Sequence, residues 1–191
     1  MTDTLSLRAL IRADIVQYIK FSADFSGEHY SKLRMLSSFL TPPVLCSFMH
    51  RIAHWLHQRR MGWLARRVSD LNFLIHRADI TPAAEIGPGL YIPHTPGIVF
   101  YGHAGRNLTL YARAIVVSEA CPADKNHQVT HAPILGDDVI VGAYAIVRGD
   151  LTVGSQSTIG PNCLLNKSIV DNTTLYHVEK INIVNPEESA N

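Results

Sequence analysis

Aliphatic residues recur at every sixth position through the second half of the chain. They are Ile80, Ile86, Ile92, Ile98, Ala104, Leu110 and Val116, then Leu135, Val141, Val147, Val153, Ile159 and Leu165. Glycine often follows the aliphatic residue, as in Ile86-Gly87, Leu135-Gly136, Val141-Gly142 and Ile159-Gly160. A period of six fits neither an amphipathic helix at 3.6 residues nor a half-buried strand at two. It predicts a parallel β-helix, in which each six-residue side of a coil sends one aliphatic residue inward. Neighbouring coils then lie one strand spacing apart, ~4.8 Å.

The first part of the chain has a different rhythm. Leu5, Leu10, Ile11, Ile15 and Ile19 predict a helix over residues 4–20, and the polar stretch 22–29 with Gly27 predicts a turn. A second helical pattern over 30–40 is broken by Pro42-Pro43. A third covers 44–59, with Phe48, Ile52, Trp55 and Leu56 on one side. After Gly62 a last helix runs through Leu64, Val68, Leu71 and Ile75. The expected organisation is a helical region over 1–78, a β-helix over 79–175 and a tail over 176–191. Val116 and Leu135 are nineteen residues apart, one more than three sixes, and the polar residues between them lack the beat. Residues 118–133 are therefore expected to form a loop thrown out from a corner, the place where solenoids tend to carry function.

Composition narrows the classes. No apolar run approaches the ~20 residues that span a bilayer, and the first twenty residues do not read as a signal peptide. Cys46, Cys121 and Cys163 are odd in number and lack CxxC spacing, so a cytoplasmic location is expected. Residues 1–78 hold eleven Lys or Arg against five acids, and residues 79–191 hold six against eleven. A basic half attracts anions, but no basic and aromatic residues interleave on a β platform, so nucleic acid is not an expected partner. The stretch 49–67, with Trp55, Trp63 and several arginines, admits weak association with a membrane surface.

The segment Ala78-Asp79-Ile80-Thr81-Pro82-Ala83-Ala84-Glu85-Ile86-Gly87-Pro88-Gly89, continuing to His94-Thr95-Pro96-Gly97, resembles the serine acetyltransferase group of hexapeptide-repeat acyltransferases. Arg51-Ile52-Ala53-His54-Trp55-Leu56 resembles the helix that precedes the β-helix in that family, and the resemblance covers residues 43–170. It implies a left-handed coil, a homotrimer with sites between subunits, and acetyl transfer from acetyl-CoA to a hydroxyl group. It also implies His94 as the base and Asp79 as its orienting partner. The chemistry suits those residue types. An alcohol is a poor nucleophile until a base takes its proton, imidazole titrates near neutrality, and a carboxylate fixes its tautomer. With eighteen residues to a coil, Asp79 lies beneath Gly97 and three residues from the position of His94. Backbone N–H groups would hold the oxyanion, and no metal is expected.

Departures from the family bear on the acceptor. Pro93 replaces the aspartate that precedes the histidine, and Val129-Thr130-His131-Ala132-Pro133 stands where the family has Asp-Arg-His-Pro. His131 therefore occupies either the arginine or the histidine position, and a gapless count places a further acceptor-binding acid at Glu28. Losing a charged amino-acid clamp fits a sugar hydroxyl, free or lipid-linked, as in polysaccharide biosynthesis. His127 and His131 are candidates to meet that acceptor. Serine O-acetylation in cysteine biosynthesis and a non-catalytic scaffold are the alternatives. For CoA, Gly142-Ala143-Tyr144-Ala145 resembles the family's Gly-Ala-x-Ala stretch, Gly160 lies one coil above, and Lys167 and Lys180 are candidate phosphate partners. A zinc-dependent carbonic anhydrase on the same kind of coil would need three converging imidazoles, drawn from His94, His103, His127 and His131.

Overall fold

The computed structural model describes residues 6–26, 37–118 and 131–177. Among the described residues α1 (Leu7–Ser26), α2 (Pro42–Gln58) and α3 (Gly62–His76) precede the coil. Ser6 caps α1, its hydroxyl accepting from the Ala9 N–H at 3.3 Å. The helix continues past residue 22, where a turn was expected, and the Ser22 hydroxyl is satisfied by the Tyr18 carbonyl at 2.9 Å instead of competing for the backbone. The chain is helical at Ser37 and Ser38 and turns over 39–41, so that helical stretch ends before Pro42 as expected. Pro42 and Pro43 then open α2, since a missing N–H costs nothing in the first turn. Arg77, in the left-handed conformation, ends α3 and donates its N–H to the Phe73 carbonyl.

From Asp79 the chain winds as a three-sided, left-handed parallel β-helix. Sheet A holds β1 (Asp79–Ile80), β2 (Val99–Phe100), β5 (Ile115–Val117), β8 (Ile146–Arg148) and β11 (Leu164–Leu165). Sheet B holds β3 (His103–Ala104), β6 (Ile134–Leu135) and β9 (Thr152–Val153). Sheet C holds β4 (Thr109–Leu110), β7 (Ile140–Val141), β10 (Thr158–Ile159) and β12 (Thr174–Leu175). Inside, Ile80, Phe100, Val116, Val147 and Leu165 form one column of rungs, and Leu110, Val141, Ile159 and Leu175 form another. Each fully buried aliphatic side chain contributes about 1.5–3 kcal/mol, so the stacked rungs hold the coil together.

The six-residue count is right except at one turn. Phe100, not Ile98, stands between Ile80 and Val116. Asp79 pairs with Val99, twenty residues on, and Val99 pairs with Ile115, sixteen on. Asp79 therefore does not lie beneath Gly97. Residues 93–97, with two prolines and a glycine, widen one corner by two residues, and the following side is shorter by two. Ile98 remains buried as an extra core residue.

The expected loop falls between β5 of sheet A and β6 of sheet B. Most of it, residues 119–130, lies outside the described residues, as do Glu28, His127 and Lys180. The stretch 49–67 is not one amphipathic face. It is split between α2 and α3, Arg60 has φ 60°, and Met49, His50, Arg51 and Ala53 are buried.

Candidate active site

His94 sits on the corner that leads from sheet C to sheet A in the first coil. Buried Ile92, Thr95 and Ile98 anchor this turn, while His94 itself is exposed. Gly97 donates its N–H to the Arg77 carbonyl at 2.8 Å, and Arg113 donates to the Pro96 carbonyl at 3.0 Å. Gly97 has φ 80°, and a Cβ there would lie 2.7 Å from Arg113 Cγ, so the close-packed turn requires glycine. Among the described residues His94 makes no hydrogen bond, which leaves its ring available to a substrate.

Asp79 opens β1 and is partly buried. Its carboxylate accepts from the Tyr101 hydroxyl at 3.0 and 3.2 Å, not from His94. Sequence reasoning missed Tyr101. Strand alternation carries the signal once the true register is known: Asp79 pairs with Val99, and Tyr101 lies two residues further on the same face. The eighteen-residue count hid that relation.

A buried ion pair that the sequence did not reveal ties the helices to the B-to-C edge of the first coil. Arg51 on α2 donates from Nε and Nη2 to the two carboxylate oxygens of Asp14 on α1, each at 2.9 Å. The same guanidinium also reaches the Ile86 and Gly87 carbonyls, and Asp14 accepts from the Gly89 and Leu90 N–H groups at 3.0 and 2.8 Å. Burial pushes the Asp14 carboxyl up, against the opposing pull of Arg51. On the same helix, His54 Nδ1 donates to the Pro82 carbonyl at 2.9 Å, and its Nε2 faces the Gln58 amide at 2.8 Å. Burial holds His54 below the usual imidazole range. The Arg51 to Leu56 motif thus seats the first coil on the helices.

The residues expected to hold CoA divide between two edges. Gly142 and Gly160 stack on the C-to-A edge, the edge that carries His94, with the Gly142 N–H donating to the Ile159 carbonyl at 2.7 Å. A Cβ on Gly142 would meet backbone atoms at 2.8–2.9 Å, so coil packing alone already demands glycine there. Ala145 is fully buried and Ala143 partly so. Lys167 lies on the A-to-B edge of a later coil and is not brought beside the glycines. His131 is also on the A-to-B edge, exposed, with Nδ1 3.0 Å from the Asp150 carboxylate.

Beside His94 the C-to-A edge opens into a groove of about 550 Å³, lined by Arg77, Pro96, Gly97, Arg113, Ile115, Tyr144 and Ile146. The candidate zinc histidines do not converge: His94 is on the C-to-A edge, His103 on sheet B and His131 on the A-to-B edge. Among the described residues no three His, Cys, Asp or Glu side chains form a group suited to a metal ion. Nor is any described helix long and apolar enough to cross a membrane.

A coil of six-residue sides, seated on helices and carrying a histidine at its first corner, defines a protein of the hexapeptide-repeat class. Residues 132–167 match the bacterial transferase hexapeptide (six repeats) family. A serine acetyltransferase of Helicobacter pylori is 34% identical over 137 residues, covering 71% of this chain and 77% of that protein. Another from Mycobacterium tuberculosis is 34% identical over 133 residues, covering 69% of this chain and 56% of its own length. The chain thus spans little more than half of the Mycobacterium relative. Among solved structures, serine acetyltransferase isoform 3 of Entamoeba histolytica in complex with cysteine superposes with a TM-score of 0.76 at 24% identity, covering 96% of this chain and 63% of that one. The Neisseria gonorrhoeae serine acetyltransferase gives 0.77 at 20% identity, covering 100% and 72%. The chain belongs to the serine acetyltransferase family.

Proposed function

We propose that this protein is an acetyl-CoA-dependent O-acetyltransferase whose acceptor is serine. The observation that carries the reading is the placement of His94. It is exposed, free of hydrogen bonds among the described residues, and on the same edge as Gly142 and Gly160, in a chain whose relatives act in name on serine. The sugar acceptor and the role in polysaccharide biosynthesis expected from Pro93 and the altered loop find no support among those relatives and are set aside.

In this reaction His94 removes the hydroxyl proton of serine as the oxygen attacks the thioester carbonyl. The tetrahedral intermediate collapses by breaking the C–S bond, and the departing thiolate takes the proton from His94. Asp79 stabilises the imidazolium through the field of its carboxylate, which the Tyr101 hydroxyl holds in place. The products are O-acetylserine and CoA. A homotrimer in the cytoplasm completes the proposal: packing prisms side by side would set the His94 edge of one copy against the loop edge of the next.

Thiol release from acetyl-CoA, with serine and a panel of sugars offered, tests the reading. Turnover with serine, lost by at least about a hundredfold in His94→Ala, supports it. Turnover with a sugar and not with serine overturns the acceptor, and near-normal turnover in His94→Ala overturns the mechanism.

A further inference from the structure

We propose that the groove beside His94 is an anion subsite in which Arg77 and Arg113 hold the carboxylate of the acceptor. The proposal deepens the serine reading and rests on it.

The two regular edges of the coil differ in a way that points to function. On the B-to-C edge the left-handed positions are Gly89, Asn107, Asp138, Gln156 and Asn172, with φ between 57° and 89°. Four of these five are Gly, Asn or Asp, the residues that adopt this conformation most readily. On the C-to-A edge the same positions are Arg77, Gly97, Arg113, Tyr144 and Asn162, with φ of 56°, 80°, 60°, 60° and 58°. Arg77, which also caps α3, Arg113 and Tyr144 carry long or bulky side chains there, with Gly97 between the first two. The hydrogen bonds that stack this edge are main-chain bonds, from Gly97 to Arg77, Arg113 to Pro96 and Tyr144 to Ala112, at 2.8–3.1 Å. Coil formation therefore does not need these side chains. Side chains that oppose the local backbone preference, gathered on one edge, mark a functional surface.

Their chemistry names the ligand. Among the described residues Arg77 and Arg113, like several other surface arginines, have no ion-pair partner, and they are the two arginines that line this groove. The Arg113 guanidinium lies 5.1 Å from the centroid of the Tyr144 ring, which steadies it. Ile115 and Ile146 add apolar surface, and among the described residues no acid lines the groove. Two planar cations over an apolar floor suit a small carboxylate, which a guanidinium grips at two points. Serine carries such a carboxylate next to its hydroxyl-bearing arm. The turn that bears His94 supplies Pro96 and Gly97 to the same groove, so an acceptor anchored by its carboxylate is held beside the base.

The test uses Arg77→Asn and Arg113→Asn, because asparagine suits the left-handed backbone and a folding failure is not expected. The melting temperature should stay level or rise, while KM for serine rises on the order of 10–100-fold and the preference for serine over serinamide collapses. A residue with a merely structural role would lower the melting temperature and leave that preference intact. Unchanged serine kinetics in both variants, with wild-type turnover present, overturns the subsite and leaves the proposed function standing. A rise in KM for acetyl-CoA but not for acetyl-pantetheine, with serine unaffected, also overturns it and assigns the arginines to CoA phosphates. If the wild type does not acetylate serine, the functional reading fails. Direct titration with serine and serinamide then decides the subsite: carboxylate-dependent binding lost in Arg113→Asn supports it, and its absence overturns it.

Discussion

The Tyr101 hydroxyl donates to the Asp79 carboxylate from one coil above, at 3.0 Å to one oxygen and 3.2 Å to the other. This places a neutral donor on the acid that is to support His94. Replacing Asp79 by alanine removes the negative charge and is expected to lower kcat by about a hundredfold. Tyr101→Phe keeps the charge and removes one hydrogen bond, so the expected loss is below about tenfold. Steady-state kinetics on the two variants check this order. A larger loss in Tyr101→Phe would make the tyrosine a direct participant.

Asp14 and Arg51 are only 3% and 1% exposed, and they tie α1 and α2 to the first coil. Removing one member leaves the other as a buried, unpaired charge, so Asp14→Ala should destabilise by about 3–5 kcal/mol. Denaturant melts of the variant measure this. A change below about 1 kcal/mol would mean that water reaches the arginine once its partner is gone.

Gly142 separates packing from cofactor binding. Its substitution by alanine puts a methyl group 2.8 Å from the Ile159 carbonyl oxygen and 2.9 Å from the Gly160 carbonyl carbon. The coil must shift, at a cost of about 1–3 kcal/mol. Melting temperature should fall even without acetyl-CoA. A variant as stable as the parent but weaker for acetyl-CoA would assign this glycine to the cofactor alone.

His50 lies fully buried, with no hydrogen-bond partner on either ring nitrogen among the described residues. Burial, reinforced by nearby Arg51 and His54, holds it well below its usual value of 6.5, and burial lowers His54 as well. The unfolded chain therefore binds protons that the folded one refuses. Stability present above pH ~6.5 is lost as pH falls below it, by up to about 1.4 kcal/mol per pH unit at His50 and by less at His54, where the Pro82 carbonyl opposes the shift. Melts at pH 7.5, 6 and 5 should show the decline, and His50→Leu should flatten it. An equal slope in that variant would assign the effect to other groups.

Much of the fold is legible in the residues because the β-helix is a local code. Each rung needs an aliphatic residue at a fixed interval, and contacts run only to the next coil. The helix pattern is legible for a similar reason, apart from its ends: α1 runs on to Ser26, past the expected turn, and the prolines at 42 and 43 open α2. The histidine and aspartate of the candidate site stand out by their motif. Tyr101, Asp14 and the paired arginines at 77 and 113 do not.

The sequence by itself determined the six-residue beat, the two halves of the chain and the family it resembles. These follow from periodicity and spacing, which depend on near neighbours. Tertiary structure alone decided the register, through a two-residue widening at 93–97 that moves Phe100 into the rung and sets Tyr101 over Asp79. It also decided which charges are buried together, as Arg51 meets Asp14 across 37 residues, and which side chains share an edge. Spacing along the chain cannot encode these relations, because coils and helices meet across distances that only the folded packing closes.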